Sequence, residues 1–203
     1  MLVTIDSSGA AAGWNCGRLK LAALLPQEKI LVRQFNKGDI GALRQIYAQY
    51  KVDLTILATA LLFDKALAED VVHEVFARLL DTTRKIRINS SLRGYLLRAV
   101  ANGARNVNRS DRRKDLDQDL CGADCFPLAE SPEYSAIFKE QREKLVSALP
   151  ELPYEQREVL LLRHFGGLRF QDIAKSQGVS VSTVQGRYRY GLEKLRSSMG
   201  GDL

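Results

Sequence analysis

The chain has 203 residues, 45% of them hydrophobic and 27% charged, enough to bury a core in one large domain or two small ones. With 15 Gly and 5 Pro it is not collagenous or low-complexity, its longest apolar runs fall far short of a membrane span, and three unevenly spaced cysteines suggest no disulfide scaffold. The net charge of +6 calls for an anionic partner without naming one.

Residues 1–25, with Ser7, Ser8, Gly9, Gly13 and Gly17, read as a poorly ordered extension. They make a poor signal peptide, since the first basic residue is Arg18 and no sustained apolar core precedes a small-residue cleavage site, so a reduced, cytoplasmic setting is expected. A first domain spans 26–114. Within it Asp39 can cap a helix carrying Leu43, Ile46, Tyr47, Tyr50 and Leu54 three and four apart. Asp64 caps a second, with Val72, Val75, Phe76, Leu79 and Leu80 inward, and Ser90 or Ser91 opens a third that ends near Arg113. Residues 115–135 hold six acidic and no basic side chains among Gly122, Pro127 and Pro132, and read as a flexible acidic linker. Helical periodicity resumes near Ala136, breaks at Pro150 and Pro153, and continues to Met199, giving a second domain over 136–203. No stretch alternates as a strand would. The expected fold is all-α: two small helical bundles, the C-terminal one a helix-turn-helix.

The basic charge is concentrated. Residues 84–114 hold ten basic side chains against the single Asp111, and 161–203 hold seven against three. On the helix over 91–113, Leu92, Leu96, Ala99, Val100, Gly103 and Val107 share an arc of about 100°. Arg98, Asn102, Arg105, Arg109 and Arg112 share the opposite side, and Arg113 adds a charge at the end. Forked guanidiniums suit phosphate oxygens, and Asn102 can reach a base or sugar. An ordinary amphipathic surface helix usually mixes both charge signs; this one favours nucleic acid.

Residues 170–184 carry the strongest local pattern. Ala174 supplies the small residue where two helices cross, Gly178 permits the turn between them, and Val184 fills the space behind. Ser180 is a plausible N-cap for a second helix that buries Val181, Val184, Tyr188, Leu192 and Leu195. Its other side shows Ser182, Thr183, Gln185, Gly186, Arg187 and Arg189, hydroxyls and an amide for base edges with arginines behind for phosphates.

These residues together resemble bacterial RNA polymerase sigma factors, in the short two-domain extracytoplasmic-function group. Residues 68–76 (AEDVVHEVF) resemble the region 2.2 signature, and 91–102 (SLRGYLLRAVAN) the segments that open and read the start-proximal promoter element. Leu149, Pro150, Arg157, Val159 and Leu160 resemble the opening of region 4, whose helix-turn-helix places Ala174, Thr183, Val184 and Arg187. The resemblance covers about residues 30–115 and 136–197 in order. It implies that Asp70, His73, Glu74 and Arg78 dock on the β′ clamp helices of core RNA polymerase. It further implies that the loop between Asp81 and Ser91 receives a flipped base, that the arginine face melts promoter DNA, and that the recognition helix reads the upstream element. Contact of region 4 with the β flap, an anti-sigma factor as regulator, a free monomer and no membrane insertion are implied as well. His73 stands where the family usually has Gln, and Tyr95 where it has Trp. Ser182, Gln185 and Gly186 replace a common Gly, Lys and Ser, and Tyr190 a frequent Arg.

Other classes are weaker. Cys121 and Cys125, with Cys16, His73 and His164, offer few ligands for a zinc site or redox pair, so no metal and no cofactor are expected. Two histidines about ninety positions apart, with no phosphate loop or serine elbow, predict no catalytic site and no enzyme. A helix-turn-helix repressor would be a homodimer binding duplex DNA unaided, and an RNA-binding module would prefer single-stranded RNA. An arginine face inside the first domain favours the sigma reading over a dimerisation domain.

Overall fold

A computed structural model describes residues 28–81, 88, 91–111 and 144–199, and every regular element among them is a helix. Helix α1 (28–36) buries Leu31 and Phe35 and ends in a turn at Gly38, whose φ of +87° suits a residue without Cβ. The Asp39 carboxylate then accepts from the Gly41 amide at 2.7 Å and opens α2 (Ile40–Leu62). Leu54, Leu57, Ala58 and Leu61 of α2 are fully buried, making it the central rod of the first domain. Each of these leucines contributes about 1.5–3 kcal/mol when fully removed from water.

Asp64 caps α3 (Lys65–Asp81) through the Leu67 amide at 2.9 Å. Helix α3 buries Val72, Val75, Phe76 and Leu79 as expected, but Leu80 is 47% exposed. Leu80 lies about 100° around the helix from Leu79, on the side that carries the exposed His73 and Ala77. Asn36 clamps Ile88 by accepting from its amide (3.0 Å) and donating to its carbonyl (3.2 Å), which brings the chain back beside α1. Helix α4 (Leu92–Asp111) follows, with Ser91 as its cap; Ser90, Arg112 and Arg113 lie outside the described residues.

In the second domain α5 (144–148) is followed by Pro153, which precedes α6 (Tyr154–His164). Helices α7 (Phe170–Gln177) and α8 (Val181–Ser198) form the helix-turn-helix. Gly178 takes the left-handed conformation at φ +67°, Ala174 and Val184 are buried at the crossing, and the Ser180 hydroxyl accepts from the Thr183 amide at 3.1 Å. Val181, expected inside, is exposed: it is the first residue of α8, whose buried face begins at Val184. The acidic linker, the extension and all three cysteines lie outside the described residues.

The two helical domains pack on each other: α6 lies against α2 and α4, and α7 against α4. Arg157 crosses from α6 to donate to the Leu61 carbonyl at 2.9 Å, its guanidinium 4.4 Å from the centre of the Phe63 ring.

Candidate nucleic-acid interface

Helix α4 buries Leu92, Leu96 and Val100 in the first bundle, as its periodicity requires. Leu97, Ala101 and Ala104 are fully buried too, because a second surface covers α4 from α6 and α7. The arginine side is therefore not an open face, contrary to expectation. Arg98 lies 3.7 Å from Asp172 of α7. Arg105 is clamped across both oxygens of Glu158 of α6, through Nη2 to Oε1 and through Nε to Oε2 at 3.3 Å. Its Nη1 also donates to the Asn102 side-chain oxygen (3.1 Å) and the Ser176 carbonyl (3.0 Å). The Ser176 hydroxyl donates to Asn102 at 3.1 Å. Arg109, one turn on, is exposed.

On α8, Ser182, Thr183, Gln185 and Arg189 are exposed and Gly186 and Arg187 partly so. A Cβ at Gly186 would meet nothing within 4 Å, so this part of the helix surface is open. The Ser182 and Thr183 hydroxyls both lie 2.8 Å from the Ser180 hydroxyl, tying the polar N-terminal end together. Arg187 donates to Gln177 at 2.6 Å, and Gln177 donates to Glu158 at 3.0 Å. One carboxylate thus links the basic helix to the recognition helix.

Asp70, His73, Glu74 and Arg78 all lie exposed along α3. Arg78 pairs with Glu74 one turn away, and His73 Nε2 is 3.2 Å from the Tyr47 hydroxyl. The stripe leans on α2 through the stacking of His73 over Tyr47, itself packed edge-on against Phe76.

Two family descriptions match this chain in order: Sigma-70 region 2 over residues 46–114 and Sigma-70, region 4 over residues 142–195. The RNA polymerase sigma-H factor of Pseudomonas aeruginosa is 27% identical over 79% of this chain and 88% of its own length. The ECF RNA polymerase sigma-E factor of Escherichia coli is 26% identical over 79% of this chain and 87% of its own. The chain belongs to the sigma-70 family, in its extracytoplasmic-function group. In fold it is similar to the sigma factor RpoE of Bartonella quintana, solved with the anti-sigma factor NepR. That match has a TM-score of 0.64 at 18% identity and covers 79% of this chain and 98% of that one.

As a sigma factor it acts through binding surfaces and not through a catalytic site. Three residues outside the expected set organise those surfaces. Glu28 of α1 accepts from the Leu92 and Arg93 amides (2.7 and 3.3 Å), capping the basic helix of region 2 from 64 positions away. Arg157 of region 4 donates to the carbonyls of Leu149, Leu152 and Leu61. Glu158 is fully buried; burial pushes its carboxyl up, and the Arg105 and Gln177 hydrogen bonds oppose that rise. A sequence signal for Glu158 existed. It shares a helical face with Tyr154, Leu161 and Leu162, and a carboxylate on an apolar face demands a partner. Among the described residues no group of three or more His, Cys, Asp or Glu is placed to hold a metal, and no helix is long and apolar enough to cross a membrane.

Proposed function

We propose that this sigma factor brings core RNA polymerase to a particular promoter set, with the division of labour below. The exposed α3 stripe of Asp70, His73, Glu74 and Arg78 docks on the β′ clamp helices. Arg98, Asn102, Arg105 and Arg109, continuing to Arg112 and Arg113, track the start-proximal element as it opens. Ser182, Thr183, Gln185, Gly186, Arg187 and Arg189 read the upstream element, and region 4 also meets the β flap. The supporting observation is the presence of region 2 and region 4 matches in family order on one chain, each with a polar helix surface of the required chemistry. A cytoplasmic location and a monomeric free state go with that role. An anti-sigma partner follows by likeness to the RpoE–NepR complex.

Purified protein mixed with bacterial core enzyme is expected to co-elute on a sizing column. The double variant Asp70→Ala, Glu74→Ala should lower core affinity by about tenfold, as loss of about 1.4 kcal/mol in interfacial contacts would. Unchanged core affinity in that variant refutes the docking assignment. A homodimer that ignores core and shifts duplex DNA would instead make the protein a helix-turn-helix repressor.

A further inference from the structure

The exposed stripe on α3 is not held by α3 alone. Arg78 bonds to Glu74 along its own helix, but His73 reaches across to α2. Its Nε2 lies 3.2 Å from the Tyr47 hydroxyl, and its ring stacks on the phenol at an interplanar angle of 22°. Tyr47 is itself partly buried and packs edge-on against Phe76 of the core, with ring centres 4.9 Å apart. The core of region 2 therefore fixes the phenol, and the phenol holds an imidazole that stands in solvent.

That contact bears on where the imidazole carries its proton. A neutral imidazole has one N–H and one bare nitrogen, and the hydrogen bond made by one nitrogen decides the state of the other. A phenol O–H is a good donor, whereas its oxygen, with a lone pair drawn into the ring, is a poor acceptor. Imidazole's bare nitrogen is a strong acceptor. The favourable pairing is thus the Tyr47 O–H donating to a bare Nε2, which places the ring proton on Nδ1. Lys51 stands beside the same phenol with Nζ 5.3 Å from the ring centre, and a cation there polarises the O–H further toward donation. The His73 ring makes no other hydrogen bond among the described residues, so Nδ1 is the polar atom it has left for a partner.

We propose that Tyr47 is a positioning residue for core docking: it holds His73 in the Nδ1–H form, so that the stripe offers an N–H donor beside the Asp70 and Glu74 carboxylates to an acceptor oxygen of polymerase. This rests on the reading of α3 as the docking helix. A glutamine at this position carries a donor and an acceptor on an amide that turns to suit; the tyrosine-held imidazole offers a donor alone. Specificity at His73 is then set from α2, by a residue that need not touch the partner.

Ring-nitrogen shifts test the tautomer directly, read from a two-bond proton–nitrogen correlation spectrum of the full chain at about pH 8, with imidazoles neutral. The chain has two histidines, so the signals missing from His73→Ala are those of His73. The Nδ1–H pattern is expected in the unaltered chain. Tyr47→Phe keeps the ring contacts with His73 and Phe76 but removes the donor, and should return the imidazole to the Nε2–H form that prevails in water. Core affinity is read separately by titration with core enzyme. Tyr47→Phe should weaken it by about threefold, as when only a fraction of the chains is binding-competent. In a His73→Gln chain the same substitution should cost nothing, because the amide needs no tyrosine to set it. Thermal unfolding should shift equally on Tyr47→Phe in the two backgrounds, which separates positioning from packing. An Nε2–H ring in the unaltered chain, a tautomer indifferent to Tyr47→Phe, or equal loss of core affinity with and without His73→Gln overturns the proposal. The spectrum is recorded without polymerase. Failure of the docking reading, seen as core affinity unchanged by Asp70→Ala with Glu74→Ala, is therefore distinguishable from failure of Tyr47 to hold the ring.

Discussion

Between α6 and α8 the His164 ring stacks on Tyr188 with centroids 5.5 Å apart, and its Nε2 lies 2.9 Å from the phenolic oxygen. Burial, with the Arg163 charge adding to it, holds this imidazole below its ordinary value of 6.5. As pH falls through that value the unfolded chain takes up the proton first, so stability is lost toward acid and levels off below the folded value. Region 4 is expected to melt at lower temperature at about pH 5.5 than at about pH 7.5, with His164→Gln flattening the difference. Calorimetry at both pH values checks this, and an unaltered slope in the variant would remove His164 as the cause. Asp70 and Glu74, by contrast, stand exposed on α3, and the docking role proposed for them rests on surface chemistry alone.

At the scale of the element, three helical glycines meet different surroundings. A Cβ on Gly103 of α4 would come within 2.8 Å of Val71, and one on Gly191 of α8 within 2.9 Å of Leu160, whereas Gly186 faces open space. Gly103 and Gly191 are therefore close-packing positions. Gly103→Leu is expected to destabilise region 2 by about 1–3 kcal/mol through overpacking. Gly186→Ala should instead stabilise α8 by about 0.8–1.0 kcal/mol through helix propensity. Chemical denaturation of the three proteins distinguishes the cases, and equal shifts would remove the packing argument. The caps at Asp39, Asp64 and Ser180 were legible because their partners are two or three residues away. So was the Ala174–Gly178–Val184 crossing, whose spacing is local. Helix α4 was half legible: its Leu92, Leu96, Val100 face follows from periodicity, but burial of Leu97, Ala101 and Ala104 depends on helices more than forty residues downstream. The exposed Leu80 and Val181 show the same limit, since periodicity gives a direction and not the extent of the neighbour lying there.

Taken whole, the molecule gathers a surplus of positive charge at 84–114 and again at 161–203. Contacts from both blocks should release counterions together, so holoenzyme affinity for promoter DNA is expected to fall by about 10³-fold or more between roughly 50 and 200 mM salt. A filter-binding titration reads that slope, and Arg109→Ala should make it shallower by about one. A slope unchanged by the substitution would move Arg109 off the phosphate path. The two charge blocks were legible in the sequence, yet the packing of the domains on each other was not, because no periodicity pairs Arg105 with Glu158. The carboxylate that caps α4 tells a further story about time. Glu28 precedes Leu92 by 64 positions, so a ribosome has delivered the cap long before the helix that needs it. The carboxylate that grips Arg105 lies 53 positions after it and is made late. Region 2 thus emerges with its basic helix already capped, and Arg105 waits for a carboxylate that has yet to be made.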